Sequence, residues 1–172
     1  MTDEVFTDHI VSVLVHNNPG VLSKVTSLVT RRGFNIDGIS AGPTRQNDMF
    51  RLTIVVKGDD KSLEQIQKQL YKIIDVVKVV PIIRSRMVGR EICLIKVKAI
   101  GAERHEVLQI INVFKANIVD VGTNGFIVEI TGDSDKIDSF LALLESHQIT
   151  DVARTGIVAM NRWERTFKET GR

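Results

Sequence analysis

The residue types that usually carry chemistry are sparse and scattered in this sequence. The four histidines, His9, His16, His105 and His147, never fall at a spacing that lets two of them hold one metal ion. His16, beside an Asn-Asn-Pro-Gly turn, is the one placed to line a site; a strand-end surface position explains it more simply. Cys93, the only cysteine, lies in an alternating apolar run and reads as a buried structural thiol rather than a nucleophile. A single cysteine excludes an intramolecular disulfide and suits a reducing cytoplasm. There is no Gly-x-Ser-x-Gly elbow, no Walker loop and no Gly-x-Gly-x-x-Gly run. The carboxylates fall mostly at helix starts or on solvated helix faces. No catalytic constellation is in view.

One stretch has the makings of a binding site: His16, Asn17, Asn18, Pro19, Gly20, Val21 and Leu22. Asn18 is a good helix N-cap, and Pro19 suits a first helical position because its missing N–H needs no partner there. The N–H groups of Gly20, Val21 and Leu22 would then point out of the helix start, where the positive end of the dipole favours a carboxylate. Gly20 lets a ligand approach the backbone closely. Asn35, after Gly33, would add an amide from the side, and neutral amides suit a zwitterion. A second reading is that Asn-Pro-Gly merely caps the helix. The residues by themselves leave both open.

The elements around that stretch repeat. Residues 9–16 (HIVSVLVH) form a β-rich run, and from residue 21 the apolar side chains of Val21, Leu22, Val25, Leu28 and Val29 take helical spacing. Arg31-Arg32-Gly33 ends that helix. Residues 34–41 and 50–57 read as strands, a helix follows with Leu63, Ile66, Leu70 and Ile73 on one side, and residues 76–83 form a fourth strand. The second half repeats the order: strand 91–100, helix 103–115, a hairpin of 118–121 and 126–131 around Thr123-Asn124-Gly125, a helix striped by Ile137, Phe140, Leu141 and Leu144, and strand 149–159. Asn35-Ile36 is echoed by Asn117-Ile118, and Gly58-Asp59 by Gly132-Asp133. The twofold βαββαβ order predicts an α+β protein of two ferredoxin-like domains, residues 1–84 and 85–172, each a four-stranded antiparallel sheet with both helices on one face. The polar stretch 85–90 (SRMVGR) is the expected boundary. The bare sheet face of each half then needs a cover.

Composition narrows the classes further. The chain has 172 residues, 43% hydrophobic and only 5% aromatic, so Val, Ile and Leu must build the cores. A formal charge of +2 is too small to argue for nucleic acid or an acidic membrane as partner. RNA-binding domains share this topology but stack bases on strand aromatics in an Arg/Lys-Gly-Phe-Gly-Phe pattern; Phe34, Phe50 and Phe126 are isolated and read as core. No stretch approaches the roughly 18 apolar residues of a membrane span, and the acidic start MTDEVFTDHI lacks the basic, long apolar profile expected of a signal peptide. A soluble cytoplasmic protein is expected.

The motifs NNPGVL and RRGFNI make the first half resemble an ACT domain, a small amino-acid-binding regulatory module. GDDKSLEQIQKQLYKIIDVVKV, REICLIKVKA and ARTGIVAMNR extend the resemblance, over about residues 9–165, to the small regulatory subunits of acetolactate synthase. Phe50 departs from the pattern, where a small polar residue is expected before the Arg. The resemblance implies a non-catalytic subunit of branched-chain amino-acid biosynthesis. It would activate a large catalytic subunit and confer feedback inhibition by valine. It implies that thiamine diphosphate, Mg²⁺ and FAD belong to that partner, with no cofactor or metal in this chain. It also implies a homodimer through the first domains, with valine at their interface. The matching effector positions are Asn17, Gly20, Val21, Leu22, Asn35 and Ile36, and Asn18 and Pro19 of the same turn complete the expected effector set; Ile36 would belong to the apolar wall, and Asn17 and Asn35 would orient the polar end, one from each protomer. The second half has Gly101-Ala102-Glu103-Arg104 in place of the Pro-Gly turn, so no equivalent site is expected there; contact with the catalytic subunit or within the assembly is its expected work. The tail 161–172, with the only tryptophan, is either a docking segment or a frayed end. The alternatives are a stand-alone ACT-type regulator of another enzyme, or an enzyme on a ferredoxin-like scaffold.

Overall fold

Short alternating runs of Val, Ile and Leu become strands here, and the same residues at helical spacing become helices. In the computed structural model, which describes residues 7–163, the first half runs β1 (Thr7–His16), α1 (Val21–Arg31), β2 (Ile36–Pro43), β3 (Met49–Gly58), α2 (Asp60–Leu70) and β4 (Val76–Ile82). A 3-10 turn at Arg84–Arg86 leads to β5 (Met87–Lys98), α3 (Glu103–Phe114), β6 (Asn117–Gly122), β7 (Gly125–Gly132), α4 (Ser134–Leu144), β8 (Gln148–Arg154) and β9 (Val158–Asn161). The strand orders are β2-β3-β1-β4 and β6-β7-β5-β8, with every pair antiparallel. Both halves are therefore ferredoxin-like α+β units, as the sequence pattern predicts.

Each sheet buries one face under its own helices. In the first half Val11, Val13 and Val15 of β1 and Leu52, Ile54 and Val56 of β3 meet Val25 and Val29 of α1 and Ile66 and Leu70 of α2. In the second, Cys93, Ile95 and Val97 meet Val107, Ile111, Ile137 and Phe140. Cys93 is fully buried, which raises its thiol pKa and fits the structural role expected of it.

Three details differ from expectation. The last strand, expected over residues 149–159, is two strands, because the chain turns at Thr155-Gly156-Ile157 with Gly156 at φ 76°. Beyond that corner β9 pairs with the opening of β5, from Met87↔Asn161 to Arg90↔Val158, so much of the polar stretch 85–90 is strand. In the second hairpin Gly122 pairs with Gly125, leaving Thr123 and Asn124 as the turn. Gly125 opens β7 opposite Lys98, and it must be glycine because a Cβ there would lie 2.1 Å from the Val97 carbonyl oxygen.

The first sheet's outer face receives part of its cover from this chain. Ile157 and Ala159 pack on Ile10 and Ile82, with Val55 and Met87 at the margin. No helix among the described residues is long and apolar enough to cross a membrane. The tail beyond residue 163 lies outside the described residues; Trp163 itself is almost fully exposed.

Candidate functional site

The loop between β1 and α1 is built differently from a simple cap. The Val21 N–H bonds the Asn18 carbonyl at 3.1 Å, closing a turn with Pro19 and Gly20 at its centre. Gly20 has φ 82° and ψ 0°, the left-handed geometry that the third residue of a type II turn requires, and Pro supplies the second. The helix thus begins at Val21, with Gly20 as N-cap and no side-chain cap bond. This corrects two expectations: Pro19 is a turn residue, not the first helical one, and Asn18 does not cap. The Val21 N–H is also spent on the turn. Among the described residues, the N–H groups of Gly20, Leu22 and Ser23 have no backbone acceptor.

The Asn18 side chain turns inward instead. Its Nδ2 donates to Asp75 Oδ1 at 2.7 Å, while Lys24 Nζ holds Asp75 Oδ2 at 2.8 Å. The Asp75 carbonyl accepts from the His16 N–H at 2.9 Å. Asp75 is buried, and the bonds from Lys24 first and Asn18 second hold its carboxyl below the usual aspartate range, against the opposing effect of burial. Sequence reasoning missed Asp75 and Lys24. The signal was present in KIIDVVK, where one acid interrupts an apolar run and so needs partners.

Asn17, Asn18, Pro19, Gly20, Val21 and Leu22 line one groove of about 450 Å³, completed by Ala41 of β2 and Phe50 and Leu52 of β3. Phe50, the departure from the family pattern, therefore sits on the groove wall. Asn35 and Ile36 do not reach it. They lie at the opposite end of β2 from Ala41, roughly 20 Å along an extended strand. Asn35 Nδ2 donates to Asp37 Oδ1 at 2.7 Å, and Asp37 pairs with Lys57 at 2.9 Å.

The corresponding place in the second half is filled. Arg104, at the start of α3, donates from Nη1 to the carbonyls of Ala99, Gly122 and Thr123 at 3.4, 3.2 and 3.2 Å. Its guanidinium lies 4.4 Å from the centroid of the Phe126 ring. α3 also carries Glu103 and Glu106 in its first turn, whereas α1 has no acidic residue there. The field of α3 meets its own carboxylates, whereas α1 carries none in its first turn and has Asp75 bonded to Asn18 and Lys24 beside its start. Among the described residues, no cluster of His, Cys, Asp and Glu is placed to hold a metal ion.

Fold and groove together define a regulatory module of the ACT class. Residues 11–78 match the small-subunit-like ACT domain of acetohydroxyacid synthase, and residues 90–163 match the small subunit of acetolactate synthase. A probable acetolactate synthase small subunit of Archaeoglobus fulgidus is 49% identical over 90% of this chain and 96% of its own length. The acetolactate synthase small subunit of Mycolicibacterium smegmatis is 45% identical over 91% and 92%. The crystal structure of the small subunit from Thermotoga maritima superposes with a TM-score of 0.87 at 49% identity, covering 92% of this chain and 99% of that one. The chain belongs to the family of acetolactate synthase small regulatory subunits. Membership implies a large catalytic subunit as partner. A stand-alone regulator of another enzyme does not account for the match of the second half.

Proposed function

We propose that this subunit senses valine in the groove at the start of α1, there confers feedback inhibition on the catalytic subunit it activates, and does so as a homodimer joined through β2. The catalytic partner carries the thiamine diphosphate, Mg²⁺ and FAD, and the condensation of 2-oxo acids takes place there. The observation that carries the reading is an open groove at a helix start with no acidic residue of its own. Valine's carboxylate takes the N–H groups of Gly20, Leu22 and Ser23, and its isopropyl group rests on Ala41, Phe50 and Leu52.

The dimer follows from the sheet edges. Tyr71 lies across β4, its hydroxyl accepting from the Val79 N–H at 3.1 Å and donating to the Val79 carbonyl at 3.2 Å. That edge is blunted against strand addition. β2 pairs only with β3 among the described strands, so its other edge is open. Two copies joined antiparallel along β2 set the Asn35 end of one strand beside the Ala41 end of the other. Asn35 and Ile36, remote from the groove in one chain, then close the groove of the second copy. A ligand gripped by both protomers shifts the assembly because it binds one arrangement better than another.

Calorimetric titration of the purified chain with valine, leucine and isoleucine tests this directly. Saturable valine binding at one site per chain, lost in Gly20→Asp, is expected. Valine binding that survives Gly20→Asp unchanged places the effector elsewhere.

A further inference from the structure

Strand β2 faces two ways. Ala41 looks into the groove at the start of α1. Its neighbour Ser40 is on the opposite face, as alternation along a strand demands. There the Ser40 hydroxyl lies 3.1 Å from the Thr155 carbonyl and 3.4 Å from the Gly156 carbonyl, both in the corner between β8 and β9. The corner is shaped for this approach: Gly156 has φ 76°, and the Ile39 carbonyl oxygen is 3.6 Å from where a Cβ would stand. Thr155 in turn is locked to β5, its N–H donating to the Ile92 carbonyl at 3.1 Å and its Oγ1 accepting from the Ile92 N–H at 3.1 Å. The preceding residue, Arg154, holds the buried carboxylate of Glu91 on the same strand, and Ser134 at the start of α4 donates to that carboxylate as well. An unbroken run of contacts leads from the groove strand to β5 and α4.

The seam these contacts cross is thin. Its buried apolar residues are Ile10, Ile82, Ile157 and Ala159, against twelve in each of the two helix-covered cores among the described residues. Part of the remaining link is polar and exposed, as in the Asn161 amide, which donates to the Pro81 carbonyl at 3.3 Å and accepts from the Ile83 N–H at 3.3 Å. Interfaces of this kind between halves of a chain slip more readily than cores do.

We propose that Ser40 is the positioning residue that couples the effector-bearing strand β2 to the second half, through its hydrogen bonds to the Thr155-Gly156 corner. The inference rests on the effector reading above and names how that site reports to the rest of the subunit. Occupancy of the groove fixes β2; Ser40 passes that position to the corner, and Thr155 and Arg154 pass it to β5.

The test combines amide hydrogen exchange on the full chain, with and without valine, with inhibition of the reconstituted complex. In the wild-type chain valine is expected to slow exchange at residues 20–23 and to change it about threefold or more at residues 154–160. In Ser40→Ala the first change persists, the second disappears, and the valine concentration for half-inhibition rises about tenfold while direct affinity stays within about twofold. Ser40→Thr, which keeps the hydroxyl, restores inhibition. Ser40→Ala that still inhibits normally, or still shows the change at 154–160, overturns the coupling. Loss of valine affinity itself in Ser40→Ala places the residue in the site and overturns its positioning role. Protection confined to the first half of the wild-type chain defeats this inference alone; no protection anywhere defeats the effector reading and this inference with it.

Discussion

Two helices in this molecule start in the same topological place and end up with opposite chemistry. α1 begins after a Pro-Gly turn, with no acid in its first turn and a groove in front of it. α3 begins with Glu103 and Glu106, and Arg104 fills the corresponding space by bonding three carbonyls and covering Phe126. A duplicated fold has thus kept one helix start available and closed the other from within. Topology alone does not make a ligand site; what the first turn leaves unsatisfied does.

The largest expected effect comes from closing the open start. Gly20→Asp puts a carboxylate where the ligand's must sit, and two like charges about 4 Å apart repel by roughly 4 kcal/mol at a protein surface. Valine affinity by calorimetry should fall about 100-fold or more. Asp also takes on the strain of φ 82°, so Gly20→Asn, with the same strain and no charge, is the control and should bind far better. Opening the closed start is the converse. Arg104→Ala should destabilise the second half by about 2 kcal/mol in urea unfolding, through the lost bonds and ring contact. It should still bind no valine there, because Glu103 and Glu106 remain.

A smaller effect is expected at the support under the open site. The Asp75 carboxyl, held low by Lys24 and Asn18, stabilises the fold above its unfolded pKa. That contribution is lost as pH falls through the depressed folded value, so the window lies below about pH 4. Thermal unfolding followed from pH 7 to pH 3 should show an acid-induced fall that is shallower in Asp75→Asn. The smallest effect is at the groove wall. Phe50→Ser should widen the pocket and raise leucine affinity relative to valine by about fivefold, the low end of the roughly 1–3 kcal/mol that one methylene is worth.

The βαββαβ repeat was legible because apolar periodicity changes cleanly between strand and helix in both halves, and because NNPGVL and RRGFNI mark the turn and stop of α1. Less was legible where distant residues decide. Residues 149–159 look like one strand, and only the packing of Ile157 against Ile10 and Ile82 reveals why the chain bends at Gly156. Asn18 looked like a cap because Asp75, its actual partner, is 57 residues away. The role of Arg104 depends on the carbonyls of a hairpin that no local pattern connects to it. Asn35 follows from its place after Gly33 as well as from the family pattern, and Ile36 from the pattern alone; one chain keeps both apart from the groove.

A crystal of the subunit grown with valine puts the account to its most direct trial. Density for the amino acid is expected at the start of α1, its carboxylate within hydrogen-bonding distance of the Leu22 N–H and its polar end near Asn35 of a second copy across paired β2 strands. Valine found away from residues 17–22, or a subunit whose β2 edges stay apart with the ligand bound, would contradict it.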